Sequence, residues 1–487
     1  MPLRNWKRCI RVVPVNRFPV GALLLAFLLS LASTLHAADS FRVLVSIKPI
    51  HSIIAALMQD TNGPDLLIKG KQTPYDFQLN PSAADQLQDY DLIVWVGPEL
   101  ESSIQSAVQK LPKKVRVVEL LSDPNLKILP SRDGSESRDP YFWLDNRNVI
   151  ILVDEFTKLL QDMDPARGHV YARNRRTLAA KLAQMDREYE YGYHALKASL
   201  GLQYYDTLQY FEQAYALKVL DRVSVSPRQP VDTARLLKVR EDIVDGEAGC
   251  LLLETGLDMP NLSLLTGNAG LRIGHLDSLG TGLNPGPDLY FQLMQHNTDE
   301  IKHCLRPGLS SETLAAPAGQ DMAEQDMATG RFMLTDHLGR VVSDEDLKGK
   351  FNILYFGYTS CPDICPTSLY VLSKTLDLLG GKADLVQPYF ITVDPERDTV
   401  EVMRGYVKYF DKRLIGLTGN PDMIARLAAQ YKVKYEKVLE KGRDPNLYVM
   451  DHSASLYLVG PDGKYIRKFL HGITPEQLHS ELLKYLP

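Results

Sequence analysis

The chain has 487 residues, with 45% hydrophobic and 24% charged side chains and a formal net charge of -5. This length exceeds one ordinary core and suits about three domain-sized units. The composition is that of folded globular protein, and the acidic balance argues against a nucleic-acid partner, which calls for a basic face.

Residues 1–38 read as an export leader. Arg4, Lys7, Arg8, Arg11 and Arg17 precede a short apolar run from Val20 to Ala32, and small residues end at Ala37 and Ala38. Leu35 or His36 stands where a small residue is preferred before cleavage, so an uncleaved tether is the alternative. The reading is a periplasmic protein, soluble or held at its N-terminus.

Residues 39–306 form the first folded unit. Phe41 to Ile47, Asp91 to Val96 and Cys250 to Glu254 are short apolar runs bounded by turn signals, as buried strands are. A helix is expected from His51 to Gln59. A longer one is expected between His169 and Leu200, where Leu178, Leu182, Met185 and Tyr189 recur every three or four residues. Strands alternating with helices imply an α/β fold with mainly parallel sheets. Residues 307–329 are small, polar and broken by Pro and Gly, as a linker is. The remaining unit, 330–487, is expected to run from a strand (Phe351 to Phe356) through a cysteine-bearing turn into a helix from Pro366. A second strand (Gln387 to Val393), a hairpin about Pro461-Asp462-Gly463 and a terminal helix from Pro475 to Tyr485 follow.

The chemistry concentrates in Cys361-Pro362-Asp363-Ile364-Cys365-Pro366. Cysteines four apart on a first helical turn share a face, and a helix N-terminus lowers thiol pKa. Two thiolates select soft metals such as Cu(I), and His452, on a nearby loop, is the candidate third ligand. On the residues alone, a structural Cys361–Cys365 disulfide with His452 at the surface is an equal reading.

With VDPERDT (Val393 to Thr399), Asp451-His452-Ser453 and Gly460-Pro461-Asp462-Gly463 in order behind that string, the unit resembles the Sco/SenC copper proteins over its whole length. The resemblance implies a thioredoxin-like fold and copper, Cu(I) or Cu(II), bound by Cys361, Cys365 and His452, with Asp394 a weaker candidate. It further implies delivery to a cytochrome c oxidase copper site, or to another periplasmic copper protein. The alternative is thiol-disulfide reduction of copper-site cysteines by Cys361 and Cys365.

Residues 39–306 resemble the ZnuA-like (cluster A-I) metal solute-binding proteins, two lobes joined by a long helix. The resemblance rests on Ser46 to Pro49, Tyr75 to Phe77, Val94 to Pro98, Asp139 to Leu144, Tyr205-Asp206, Tyr210 to Glu212 and Leu276 to Gly280. The family pattern places histidine where Tyr75, Tyr141 and Tyr205 stand, and Asp277 alone keeps a ligand type. Two readings follow: a degenerate scaffold that docks a partner such as an oxidase or a membrane permease, or a hard-oxygen site for an ion such as Fe(III). A metal-import role depends on the second. The resemblance also implies a structural disulfide between Cys250 and Cys304.

Overall fold

The computed structural model describes residues 41–487 apart from 195, 197–199, 216, 246–248, 268–270, 306–330, 362–363 and 440–447. The expected leader (1–38) and linker (307–329) lie outside the described residues. From Arg42 to Pro487 the chain forms one compact unit.

Its first lobe is a parallel sheet in the order β2-β1-β3-β4. The strands are β1 (Val43–Val45), β2 (Asp65–Leu66), β3 (Leu92–Trp95) and β4 (Arg116–Glu119). All residues of β1 and β3 are buried, which is why both read as unbroken apolar runs. Helices α1 (Lys48–Leu57), α2 (Pro81–Gln86) and α3 (Pro98–Val108) each open with proline in the first turn, where its missing N–H removes no helical bond.

Helix α4 (Asn146–Met163) is capped by Asp145, whose side chain accepts from the Arg147 amide. It packs along α5 (Gly168–His194), a 27-residue rod about 40 Å long that leads to the second lobe. There β5 (Leu200–Tyr205), α6 (Gln209–Tyr215), β6 (Lys218–Ser224), α7 (Thr233–Val244), β7 (Cys250–Glu254), α8 (Leu262–Thr266), β8 (Arg272–Leu276) and α9 (Leu289–Leu305) follow. The sheet is again parallel, in the order β6-β5-β7-β8. A Cys250–Cys304 disulfide ties β7 to the end of α9.

The C-terminal half is built on a seven-stranded sheet in the order β10-β9-β13-β12-β11-β16-β17. Its elements in chain order are β9 (Met333–Asp336), β10 (Val341–Ser343), β11 (Phe351–Gly357), α10 (Ile364–Leu379), β12 (Val386–Thr392), α11 (Val400–Val407), β13 (Ile415–Thr418) and α12 (Pro421–Gln430). A two-stranded ribbon of β14 (Tyr435–Leu439) and β15 (Tyr448–His452) precedes β16 (Leu456–Val459), β17 (Tyr465–Phe469) and α13 (Pro475–Leu482). Central β11 pairs parallel with β12 and antiparallel with β16, the thioredoxin-like arrangement. No described helix is long and apolar enough to cross a membrane.

The two halves meet through buried charge. Arg147, wholly buried, pairs with Asp145 at 2.7 Å and with Asp344 of the C-terminal half. Asp186, also wholly buried, takes Arg331 at 3.0 Å and Arg426. Lys127 reaches Glu345 at 2.7 Å, and Asn420 donates to Asp154. Desolvated ions are tolerated only when paired, so these contacts fix how the halves dock.

Candidate metal centre

Strand β11 ends at Gly357, and the chain turns before α10. The Cys361 amide donates to Tyr358 O at 3.3 Å, and the Thr359 amide to buried Asp398 at 2.9 Å. Cys365 is the second residue of α10 and fully buried, whereas Cys361 precedes the helix and keeps 9% exposure. The two sulfurs therefore do not share a helical face, as the four-residue spacing suggested. They come together because a turn delivers one and the first helical turn the other.

His452 sits at the end of β15, paired with Tyr435, rather than on a loop. Its Nδ1 lies 3.2 Å from Ser453 O and its Nε2 3.2 Å from Cys365 Sγ. A carbonyl only accepts, so Nδ1 carries the proton and the Nε2 lone pair faces the thiol, which donates to it. Tyr358 and Tyr355 brace the imidazole edge-on, with ring centroids at 5.7 and 6.4 Å. One donor atom from each of Cys361, Cys365 and His452 lies within 4.8 Å of the others, a grouping fit to hold a metal ion.

The electrostatics differ from expectation. Burial pushes the Cys365 thiol up to about 12, so desolvation outweighs the helix terminus. Burial also lowers His452, which keeps its imidazole neutral and its lone pair available at neutral pH. A soft cation, by replacing the thiol proton, would supply the positive charge that the buried sulfur lacks.

Gly357 makes room for this arrangement. A Cβ there would stand 2.6 Å from Cys365 Sγ and 2.9 Å from the Phe390 ring. Asp394 lies outside the trio. Its carboxylate accepts from the Arg397 guanidinium and, at 2.8 Å, from the Tyr448 hydroxyl. Arg397 in turn stacks 3.7 Å from the Tyr448 ring centroid. Asp394 thus holds a wall of the site in place. Sequence reading missed Gly357 and Tyr355. The glycine is legible in hindsight as the small residue between strand and cysteine, while Tyr355 lies in an apolar run without distinguishing pattern.

In the N-terminal half the four candidate oxygens have separate partners. The Tyr75 and Tyr141 hydroxyls bond each other at 2.7 Å, and burial raises both pKa values, which opposes tyrosinate formation. Tyr205 donates instead to Asp258 O at 2.6 Å. The two Asp277 oxygens accept from the amides of Thr281 at 2.7 Å and Gly282 at 2.9 Å. Each of the four oxygens thus has a hydrogen-bond partner within the protein: a second phenol for Tyr75 and Tyr141, a carbonyl for Tyr205 and two amides for Asp277, and nothing in this arrangement supports the expected hard ion such as Fe(III).

Hydrogen bonds and ion pairs latch the lobes across the cleft. Lys48 Nζ donates to Gly280 O, Thr281 O and Leu283 O at 2.9–3.1 Å, and Arg228 to Leu100 O at 2.7 Å. Arg132 pairs with Asp206 at 3.1 Å and Glu212 at 3.0 Å. His51 is a core residue bonded to Pro64 O at 3.0 Å, and His275, His303 and His471 are exposed.

Residues 320–487 match the SCO1/SenC family, and residues 43–304 match the zinc-uptake complex component A periplasmic family, ZnuA. A SCO2-like protein of Rickettsia felis is 41% identical over 155 residues, 32% of this chain and 75% of that protein. The high-affinity zinc uptake system protein ZnuA of Brucella abortus (strain 2308) is 27% identical over 321 residues, 58% of this chain and 96% of that one. Among solved structures, copper-bound ScoI of Bradyrhizobium japonicum is 45% identical, covering 33% of this chain and 99% of its own, with a TM-score of 0.31.

Proposed function

The chain belongs to the ZnuA family of zinc-uptake periplasmic components and carries a SCO1/SenC domain behind it, and on that footing we propose that it is a periplasmic copper metallochaperone. Cys361, Cys365 and His452 take one copper ion and hand it to a copper site of cytochrome c oxidase or to another exported copper protein. Residues 330–487 carry the ion, and residues 39–306 act as a docking scaffold. The carrying observation is the approach of three soft or borderline donors, with the lone pair of His452 Nε2 directed at Cys365. Copper entry displaces the thiol protons to solvent, and the neutral imidazole completes a three-donor set. The buried Cys250–Cys304 disulfide supports an oxidising compartment.

The test is anaerobic copper titration of the reduced protein beside Cys361→Ala and His452→Ala. One tight copper in the wild type, lost in both variants, is expected. Tight copper surviving both would move the site elsewhere and overturn the reading. A second reading, thiol-disulfide reduction, draws on the partial exposure of Cys361 in front of buried Cys365, the order an attacking and a resolving thiol need. Each turnover would leave the target disulfide reduced and the Cys361–Cys365 pair oxidised. Reductase activity that survives His452→Ala would favour it.

A further inference from the structure

Asp398 is the second aspartate of the Val393 to Thr399 string and lies between β12 and α11 with no exposed surface. Its carboxylate takes three donors, all from threonines. One oxygen accepts from the Thr359 hydroxyl, and the other from the Thr359 amide at 2.9 Å and the Thr392 hydroxyl at 2.6 Å. Its own carbonyl accepts from the Thr418 hydroxyl at 2.6 Å. Thr392 ends β12 and Thr418 ends β13, so Asp398 is fastened to two strands of the sheet. Through Thr359 it grips the turn that leaves β11, two residues before Cys361.

A buried carboxyl group is costly to desolvate, and a smaller apolar residue would avoid that cost. What the group accomplishes is geometric. The two thiols of the trio are held differently: Cys365 belongs to α10, whereas Cys361 precedes the helix on a turn whose amide donates to Tyr358 O at 3.3 Å. A donor on such a turn is placed only as well as the turn is anchored, and a metal site tolerates errors of about 0.5 Å. By accepting both the amide and the hydroxyl of Thr359, one side chain fixes that residue's backbone direction and its rotamer together.

We infer that Asp398 is a positioning residue for Cys361: it clamps Thr359 to the ends of β12 and β13 and so holds the Cys361 sulfur within reach of the ion shared with Cys365 and His452. The inference rests on the copper reading above. Among the described residues no hydrogen bond joins Asp398 to the three donors, so it acts through Thr359. Asparagine can keep the clamp without the charge. Its amide oxygen accepts from the Thr359 amide and the Thr392 hydroxyl, and its NH2 donates to the Thr359 hydroxyl. Alanine cannot.

Asp398→Ala beside Asp398→Asn, in the full reduced chain, separates the clamp from the charge. In the metal-free protein, Cys361 of Asp398→Ala should react with iodoacetamide faster than in the wild type, while Cys365 keeps its rate, both read by peptide mass mapping. Its Cu(I) affinity, by competition titration, should fall about ten- to a hundredfold, as when other groups that orient a ligand are lost. Asp398→Asn should match the wild type in both readouts. If Asp398→Ala fails to fold, Thr359→Val beside Thr359→Ser decides the same question from the other end of the clamp, with the valine variant moving both readouts and the serine variant neither. Wild-type reactivity and affinity in Asp398→Ala would overturn the inference and leave the copper reading intact. Equal losses in Asp398→Ala and Asp398→Asn, or equal behaviour of the two Thr359 variants, would do the same. Absence of tight copper in the wild type would overturn both.

Discussion

The cleft of the N-terminal half and the trio of the C-terminal half both lie on scaffolds of metal-handling families, and they differ in where their donor atoms point. In the cleft, Tyr75 and Tyr141 bond each other, Tyr205 bonds a carbonyl, and Asp277 is filled by two amides. In the trio, Cys361, Cys365 and His452 face one another, and Cys365 meets His452 through a thiol proton that a cation can replace. A family scaffold preserves the place for an ion; donor atoms left available decide whether the place is used.

The largest expected consequence is in stability. Copper(I) at a thousandfold excess over its dissociation constant should stabilise the reduced protein by about 4 kcal/mol, read from thermal or denaturant unfolding. Zinc or a chelator should leave the N-terminal half unmoved. A zinc-induced rise that persists in Cys361→Ala would show an ion in the cleft and break the comparison.

A second test sharpens the cleft side. Glu254, buried behind the cleft, accepts from Thr207 and Ser278, and burial raises it from 4.5 to about 7. An acid with a raised folded pKa favours the folded state most below about pH 4.5, and that contribution is lost as pH rises through 7. The shift allows up to about 3 kcal/mol. Glu101 is raised to the same value and burial lifts Asp139 well above the usual carboxylate range, so Glu254→Gln should remove a part, not all, of the stability lost between pH 5 and 7.5. An unchanged profile in pH-resolved denaturant titrations would mean that Glu254 is ionised and hydrated.

The smallest effect concerns the trio. Gly357→Ala forces the Cys365 sulfur or the Phe390 ring to shift, and overpacking of this kind costs about 1–3 kcal/mol. Copper affinity should fall about tenfold while one copper is still bound. Unaltered affinity by competition titration would show that the sulfur has slack.

Much of this architecture was legible because strands buried on both faces betray themselves: Val43 to Val45, Leu92 to Trp95 and Ile353 to Phe356 are apolar throughout. The trio was legible because its cysteines are close in sequence and four motifs flank them in order. The β14–β15 ribbon that presents His452 was not. Its strands mix charged and apolar residues and carry no strong hairpin signal, so His452 reads as a loop residue. The Tyr75–Tyr141 pair joins positions 66 residues apart, a pairing that no local pattern encodes. The interface was hidden for a different reason. Asp186 lies beside Met185 on a charged helix and looks like one more solvated acid, yet it is wholly buried against two arginines of the other half.

That interface bears on how such a chain can be rearranged. With Arg147 and Asp186 on one side and Arg331, Arg426 and Asp344 on the other, severing the halves strands charges on both cut faces. Separating the halves would trade these ion pairs for hydration of each charge, whereas covering either face with an apolar surface would leave its charges buried without partners. Held in one chain, the halves also keep a fixed one-to-one ratio at every concentration, so a partner that docks on the first always meets the second at the same bearing.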